Sequence, residues 1–351
     1  MLVVVGVVTL ALVVLALDRG PTAPPSYVGE PGGAAVAPDP AEPPAAPASD
    51  PTSGAAAAPA TGPLARVQER LRRGLDATSF PPRATVAAQL GSARWADGVR
   101  RDGGCLDVPA GSDDECASGP ADSPDTALVL GDDAALSYLP AVRDALDDRF
   151  RVRQVTLRGC PVWDAPVVTT GGRPNPACDR FRAWSRAEVA RVRPDVLVLA
   201  TSWQAGALLD MAAIGPASPA TAIIEGYRAA LADLVPAARI TIVLGAPPGG
   251  ADLAACATGA GATPASCTTT RPTTYDDVVA TEDDLVTDEG AVFIDTRDWF
   301  CVQARCPALA GAVPVYADGL HVSVPWARSL GPTMRAALAG AADRLREREG
   351  G

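Results

Sequence analysis

The sequence predicts an α/β protein: a three-layer α/β/α sandwich of the flavodoxin-like kind, built on a five-stranded parallel sheet. Two observations carry that expectation. Short runs rich in Val, Leu and Ile recur at residues 127–130, 152–157, 196–200, 240–244 and 292–294. Between them lie segments with helical periodicity, at 135–146, 178–192, 221–234 and 275–286, and a last helix is expected from Pro325 to Arg346. Strands that alternate with helices pair in parallel and are covered on both faces. Pro325 suits a first helical turn, where its missing N–H costs nothing. In such sheets sites form beyond the carboxyl ends of the strands, which directs attention to the loops after Leu130, Leu157, Ala200 and Ile294.

The chain before residue 126 has a different character. Residues 2–17 (LVVVGVVTLALVVLAL) carry no charge and end at Asp18-Arg19. Their length approaches the ~20 residues a helix needs to cross a bilayer. They lack the positive flank and small-residue cleavage site of a secretory leader. Residues 1–19 therefore read as a membrane anchor, the last span of a larger membrane protein or a single pass. Residues 20–63 are rich in Pro and Ala, too stiff and too small to bury a core, and read as an extracytoplasmic linker. Leu64, Val67, Leu71 and Leu75 recur at helical spacing and open a lead-in over 64–125, ahead of the α/β domain at 126–346. The formal net charge of -11, with no stripe of Lys and Arg, argues against nucleic-acid binding and for a soluble acidic surface.

The eight cysteines fall as four close pairs, Cys105/Cys116, Cys160/Cys178, Cys256/Cys267 and Cys301/Cys306. Eight cysteines allow about 105 full pairings, so spacing alone does not prove connectivity. Metal binding is the rival reading, but no CxxC occurs and His321 is the single histidine. Short loops close at little entropic cost, so nearest-neighbour disulfides are expected, with Cα atoms roughly 4.4–6.8 Å apart. Disulfides place the domain in an oxidising compartment outside the cytoplasm.

Two segments could carry chemistry. The first expected strand ends in Gly131-Asp132-Asp133-Ala134 and a helix follows at once. A glycine there permits a sharp elbow that presents the next side chains at a helix N-terminus. Near the other end stands Asp318-Gly319-Leu320-His321. An aspartate three residues before a histidine can bond its Nδ1–H and leave Nε2 free as a base.

Together these segments resemble the SGNH superfamily of hydrolases and acyltransferases. The likeness is sharpest to the extracytoplasmic SGNH domain associated with multi-pass membrane acyltransferases that O-acetylate cell-surface glycans. It is carried by LVLGDDAALSYLPAV (128–142), RGCP (158–161), RPDVLVLATSW (193–203) and CVQARCPALAGAVPVYADGLHVSVPWARSL (301–330), together with the placement of the cysteines, and it covers residues 100–340. The resemblance implies an SGNH-like fold, His321 and Asp318 as base and orienting acid, Gly131 and Asp132 as the elbow turn, and Gly159, Thr201 and Ser202 as oxyanion-hole candidates. It implies no cofactor and no metal. Its partners would be a cell-surface glycan and a multi-pass membrane acyltransferase subunit, with the globular part on the outer side of the cell membrane.

One departure matters as much as the match. Where the family carries its nucleophilic serine this chain has Asp133, and Ala134 stands where the branch often has histidine. A carboxylate needs no base but would form a mixed anhydride with an acyl donor, and it puts negative charge where the oxyanion hole expects a neutral group. Asp133 also suits a helix N-cap, a role worth ~1 kcal/mol. Ser137 lies a helical turn further on and reads as a helix-surface serine, and Trp203 reads as a packing residue. Three readings follow: a non-catalytic member that binds a glycan or an acyltransferase; an active O-acetyltransferase or carbohydrate esterase that uses His321 and Asp318 by a modified route; or a divalent-cation site made of Asp132, Asp133, Asp318 and His321. The first is preferred. Two carboxylates flanking His321, Asp318 at Nδ1 and Asp133 at Nε2, should hold it protonated and spoil it as a base.

Overall fold

The computed structural model describes residues 62–82, 86–109, 111–112, 116–146 and 148–350. The expected anchor at 1–19 and nearly all of the linker lie outside these residues. Among the described residues no helix is long and apolar enough to cross a membrane.

Helix α1 (Pro63–Leu75) opens the described chain, with Val67 and Leu71 buried on one stripe and basic residues on the other. Helix α2 (Ser92–Arg101) and the short strand β1 (Ala117–Ser118) complete the lead-in. The alternation follows: β2 (Thr126–Gly131), α3 (Asp133–Leu146), β3 (Arg151–Thr156), α4 (Pro176–Val192), β4 (Val196–Ala200), α5 (Pro219–Leu234) and β5 (Thr241–Leu244). A short helix α6 (Leu253–Cys256), the strand β6 (Thr269–Thr270), α7 (Thr273–Asp288) and β7 (Val292–Ile294) come next. Three short strands, β8 (Arg305–Cys306), β9 (Leu309–Ala310) and β10 (Val313–Pro314), precede α8 (Val324–Ser329) and α9 (Gly331–Gly350).

The central sheet has six strands in the order β1-β3-β2-β4-β5-β7. Five are parallel, at the places expected from the sequence to within two residues. The expected five-stranded sheet gains β1, which pairs antiparallel with β3 at the edge. The strands read as apolar runs because both faces are covered. Ala127 and Val129 of β2 belong to a core with Tyr138 of α3 and Trp326, Met334 and Leu338 of the last two helices. Leu128 and Leu130 point the other way, into a core with Phe181 of α4, Leu231 of α5 and Val279 of α7. Val67 and Leu71 of α1 lie in the first of these cores.

The expected single C-terminal helix is two helices, broken at Leu330. Pro332 lacks the N–H and its ring crowds the carbonyl four residues earlier, which favours ending the first helix ahead of it. Ser323 caps the first of the pair, its side chain accepting the N–H of Trp326 at 3.2 Å.

All four nearest-neighbour disulfides are present, and no cysteine is free among the described residues. Cys105 pairs with Cys116, Cys160 with Cys178 and Cys256 with Cys267, at Cα separations of 5.7, 5.3 and 5.8 Å. Cys301–Cys306, at 4.1 Å, falls just below the expected window. Between these two cysteines, Val302 and Arg305 exchange both backbone hydrogen bonds at 2.9 and 3.0 Å. The residues flanking such a pair face each other across an antiparallel ladder at its close spacing of about 4.5 Å.

Each clip ties a different part of the fold. Cys105–Cys116 closes the lead-in just ahead of β1. Cys160–Cys178 fastens the loop after β3 to the first turn of α4, with Cys160 and Cys178 both buried in the second core. Cys256–Cys267 joins the end of α6 to the turn before β6, and Cys267 is buried in a small cluster with Leu253 and Leu309.

The order β3-β2-β4 places the crossover reversal at β2, since the chain leaves β2 to one side for β3 and then crosses to the other for β4. The loops following these three strands therefore meet at a topological switch point.

Candidate functional site

The elbow after β2 is fixed by what surrounds Gly131. A Cβ at Gly131, whose φ is +152°, would lie 1.9 Å from the carbonyl oxygen of Ala200 on the neighbouring strand. Only glycine lets β2 and β4 close up there. Asp132 follows, almost fully buried. Its carboxylate accepts the N–H of Ala134 at 2.9 Å, the N–H of Ser202 at 2.9 Å and the Ser202 hydroxyl at 3.0 Å. The helix cap expected of Asp133 is thus supplied by Asp132, and Asp133 is the first residue of α3 with its side chain turned into the cleft.

There Asp133 bridges two groups. Its Oδ2 accepts the backbone N–H of Gly159, from the loop after β3, at 2.8 Å. Its Oδ1 stands 3.4 Å from Nε2 of His321. On the opposite side of the imidazole, Nδ1 lies 2.9 Å and 3.0 Å from the two carboxylate oxygens of Asp318. Asp318 also accepts the backbone N–H groups of Leu320 and His321, so one carboxylate folds its own loop and aims the ring. Trp95 of α2 stacks on the imidazole, with ring centroids 3.9 Å apart and planes at 25°.

The electrostatics follow from this geometry. Burial pulls the His321 pKa down, but Asp133 and Asp318 outweigh it and hold the imidazole at about 9. Burial pushes the Asp133 carboxyl up, and hydrogen bonds from His321 and Gly159 more than reverse that, leaving it below the ordinary aspartate value. Asp132 behaves oppositely: burial, reinforced by the charge of Asp133, raises it to about 7. Near neutral pH this arrangement favours a protonated imidazole between Asp133 and Asp318, above an Asp132 that holds its proton more readily than an ordinary aspartate.

The remaining expected site residues are placed differently from one another. Gly159 aims its N–H into the cleft, where Asp133 takes it. Thr201 and Ser202, expected beside Gly159 in the oxyanion hole, are engaged elsewhere: the Thr201 hydroxyl accepts the N–H of Val162 at 3.1 Å, and both donors of Ser202 go to Asp132. Ser137 is 3% exposed and lines the cleft, so it is no surface serine. Trp203 packs edge-on against Tyr275 and donates Nε1–H to the carbonyl of Pro248. The disulfide cysteines Cys105, Cys116, Cys160, Cys178, Cys256, Cys267, Cys301 and Cys306 do not line the cleft, and their part is to hold the scaffold. Among the described residues no cluster of His, Cys, Asp and Glu has the geometry of a metal site; the carboxylates considered for one are bonded to Gly159, Ser202, Ala134 and His321. Reading the sequence missed Trp95, whose signal is slight, a tryptophan and Val99 one turn apart in a charged segment.

The cleft encloses about 310 Å³ and is lined by Asp133, Ser137, Gly159, Gln204, Leu208 and His321 among others. Chemically it offers acceptors and donors at fixed positions, with Nε2 of His321 facing the carboxylate of Asp133.

A family model described as the SGNH domain fused to AT3 domains matches residues 101–336. Among solved structures, the periplasmic domain of a lipopolysaccharide acetyltransferase from Salmonella ser. Paratyphi A is similar in fold, with a TM-score of 0.51 and 13% identity over 70% of this chain and 94% of that one. Axe2, an acetylxylan esterase from Geobacillus stearothermophilus, aligns with a TM-score of 0.33 and 15% identity over 60% of this chain and 91% of that one. No curated protein matches the sequence.

Proposed function

We propose a non-catalytic, glycan-binding role in a cell-surface O-acylation system for this chain, which belongs to the family of SGNH domains fused to AT3 domains. The observation that carries the reading is the double engagement of Asp133. A serine at this place would give its proton to Nε2 of His321 and attack an acyl carbon, and the resulting oxyanion would need the N–H of Gly159. Here one carboxylate takes both partners at once, Oδ1 at His321 and Oδ2 on the Gly159 N–H. The nucleophile is missing, the base is already protonated and the oxyanion donor is filled. Each of these alone would slow acyl transfer; together they leave a preorganised binding surface. Sugar hydroxyls suit it, since they can donate to the carboxylate of Asp133 and accept from the amide of Gln204 or the hydroxyl of Ser137, all of which line the cleft.

The wider setting belongs to the same proposal. Four disulfides support an extracytoplasmic location for the globular part. Residues 1–19 would anchor it in the cell membrane as a single pass, 20–63 would space it from the surface, and the lead-in at 64–125 and the domain at 126–346 would form the outer part. A multi-pass membrane acyltransferase is the partner that the family points to. The modified-catalysis reading, with His321 and Asp318 activating a water or sugar hydroxyl, requires a neutral Nε2, which a pKa of about 9 does not supply near neutral pH.

The test compares the native protein with Asp133→Ser on a chromogenic acetyl ester and on cell-wall oligosaccharides. We expect native hydrolysis at the level of buffer, a rise of about 100-fold or more in Asp133→Ser as the imidazole regains a hydroxyl to activate, and oligosaccharide binding by the native protein. Native turnover that disappears in His321→Ala would overturn the binding reading.

A further inference from the structure

A second cavity, of about 400 Å³, opens beside the cleft. The segment from Ser202 to Leu208 is the wall between them. Trp203 and Gly206 face the second cavity, Gln204 and Leu208 face the cleft, and Ser202 touches both. Its other walls are Ile223 and Tyr227 of α5 and Val278, Glu282 and Leu285 of α7, with Trp163 from the loop after β3.

Three features decide what such a cavity accepts. Its lining is aromatic and aliphatic: Trp203 is half-buried on the wall, with Trp163 and Tyr227 more deeply set behind it. It carries two carboxyl groups, Asp277 and Glu282, while no Lys or Arg lines it. Glu282 has a single hydrogen bond among the described residues, from the Tyr227 hydroxyl to Oε1 at 2.8 Å, and its other oxygen has none. Burial, with the charges of Asp132 and Asp283 adding to it, raises the Glu282 carboxyl to about 7 despite the Tyr227 hydrogen bond. Glu282 is half-buried in the cavity wall, and no Lys or Arg lines the cavity to pair with it.

We propose that this cavity binds a small organic cation, an ammonium group carried on an apolar body, with Glu282 as its counter-ion. The ring faces of Trp and Tyr attract a cation and favour weakly hydrated ammonium groups above all. An apolar body fills the aliphatic side, and the ammonium supplies the charge that Glu282 lacks. A neutral hydrocarbon chain would leave Glu282 as it is, and an anion would meet two carboxyl groups with no cation to offset them. The site is separate from the cleft and does not depend on what the cleft does.

The experiment titrates the full chain, in a nonionic detergent, with benzyltrimethylammonium by calorimetry, beside benzyl alcohol and benzoate. Saturable binding of the cation, at least about tenfold tighter than either comparison, is expected, and so is a loss of about tenfold or more in Glu282→Gln, which keeps an acceptor for Tyr227. Val278→Trp, at a position 43% exposed on the rim, fills the cavity without disturbing the core and should abolish binding. Absence of saturable binding, equal affinity for the alcohol or benzoate, or unchanged affinity in a folded Glu282→Gln overturns the proposal. So does native-like binding by Val278→Trp, which covers the case in which the glutamine variant fails to fold.

Discussion

The two loops that meet in the cleft are held in opposite ways. At the elbow, residues 131–134, the backbone is set by neighbours of the cleft residue: Gly131 against the Ala200 carbonyl, and Asp132 bonded to Ala134 and Ser202. The side chain of Asp133 contributes little to that shape. In the loop 318–321 the cleft residue itself makes the structure, since Asp318 accepts the N–H groups of Leu320 and His321 as well as the imidazole, while Leu320 at the tip is 59% exposed. An exchange of Asp133 for serine would therefore leave the elbow's backbone supports in place. The loop has no such freedom.

Substitutions at the two loops should therefore differ in their effects. Gly131→Ala should do the most damage, because its Cβ would meet backbone on one side and Ala135 on the other; a loss of about 3 kcal/mol or total failure to fold is expected from denaturant midpoints. Asp318→Ala comes next. It strips two backbone N–H groups and the imidazole of their acceptor, and should cost about 2 kcal/mol and disorder the loop, seen as faster amide exchange at Leu320 and His321. If it costs no more than a surface substitution, the loop is held by something else and the comparison fails.

Asp133→Ser should leave stability at neutral pH within about 1 kcal/mol of native, because the elbow does not lean on it. Its effect is electrostatic. Removing one of the two flanking carboxylates should bring His321 from about 9 back toward the ordinary histidine value near 6.5, read by NMR titration of the single histidine. The same shift appears in stability. A histidine whose pKa is raised by folding stabilises the folded state fully below its unfolded value, and that contribution is lost as pH rises through the folded value. The native protein should therefore lose stability between pH 6.5 and about 9, and Asp133→Ser should lose much less there. Asp132, raised to about 7, acts in a lower window: a buried acid whose pKa is raised weakens the fold as pH climbs from its unfolded value to its folded one, and adds nothing further above that. Arg158→Ala should matter least. Its bidentate pair with Asp107 is largely exposed, so about 0.5 kcal/mol or less is at stake.

The parallel strands were legible because burial on both faces makes them apolar throughout; Leu128 and Val129 of β2 serve different cores and are both hydrophobic. Strand β1 was not, since it is two half-buried residues long and lies at the sheet edge. Helix α2 rests on Trp95 and Val99 amid charged residues, too few apolar positions to establish a period. The break at Leu330 was written in Pro332, which the run of apolar positions on either side obscured. At the site, the residue types and their order were readable, as was the pairing of His321 with Asp318. That Asp133 stands at Nε2 of His321 was readable too, through the resemblance; that its neighbour Asp132 caps the helix was not, because that phase is set by the contact of Gly131 with a strand about 70 residues away in sequence. The partners that Thr201 and Ser202 take, Val162 and Asp132, were not readable for a related reason: small polar residues at a strand end look alike until their partners are known.

The disulfides have a consequence for assembly. The four pairs, separated by 11, 18, 11 and 5 residues, lie one after another along the chain, and none encloses or crosses another. A polypeptide that emerges N-terminus first can close each clip before the next cysteine arrives. No thiol has to be held in reserve for a distant partner, and a mispaired intermediate requires skipping over a correct partner that is already nearby. Oxidation can thus proceed as a ratchet along the emerging chain, each bond shortening the conformational search left to the rest.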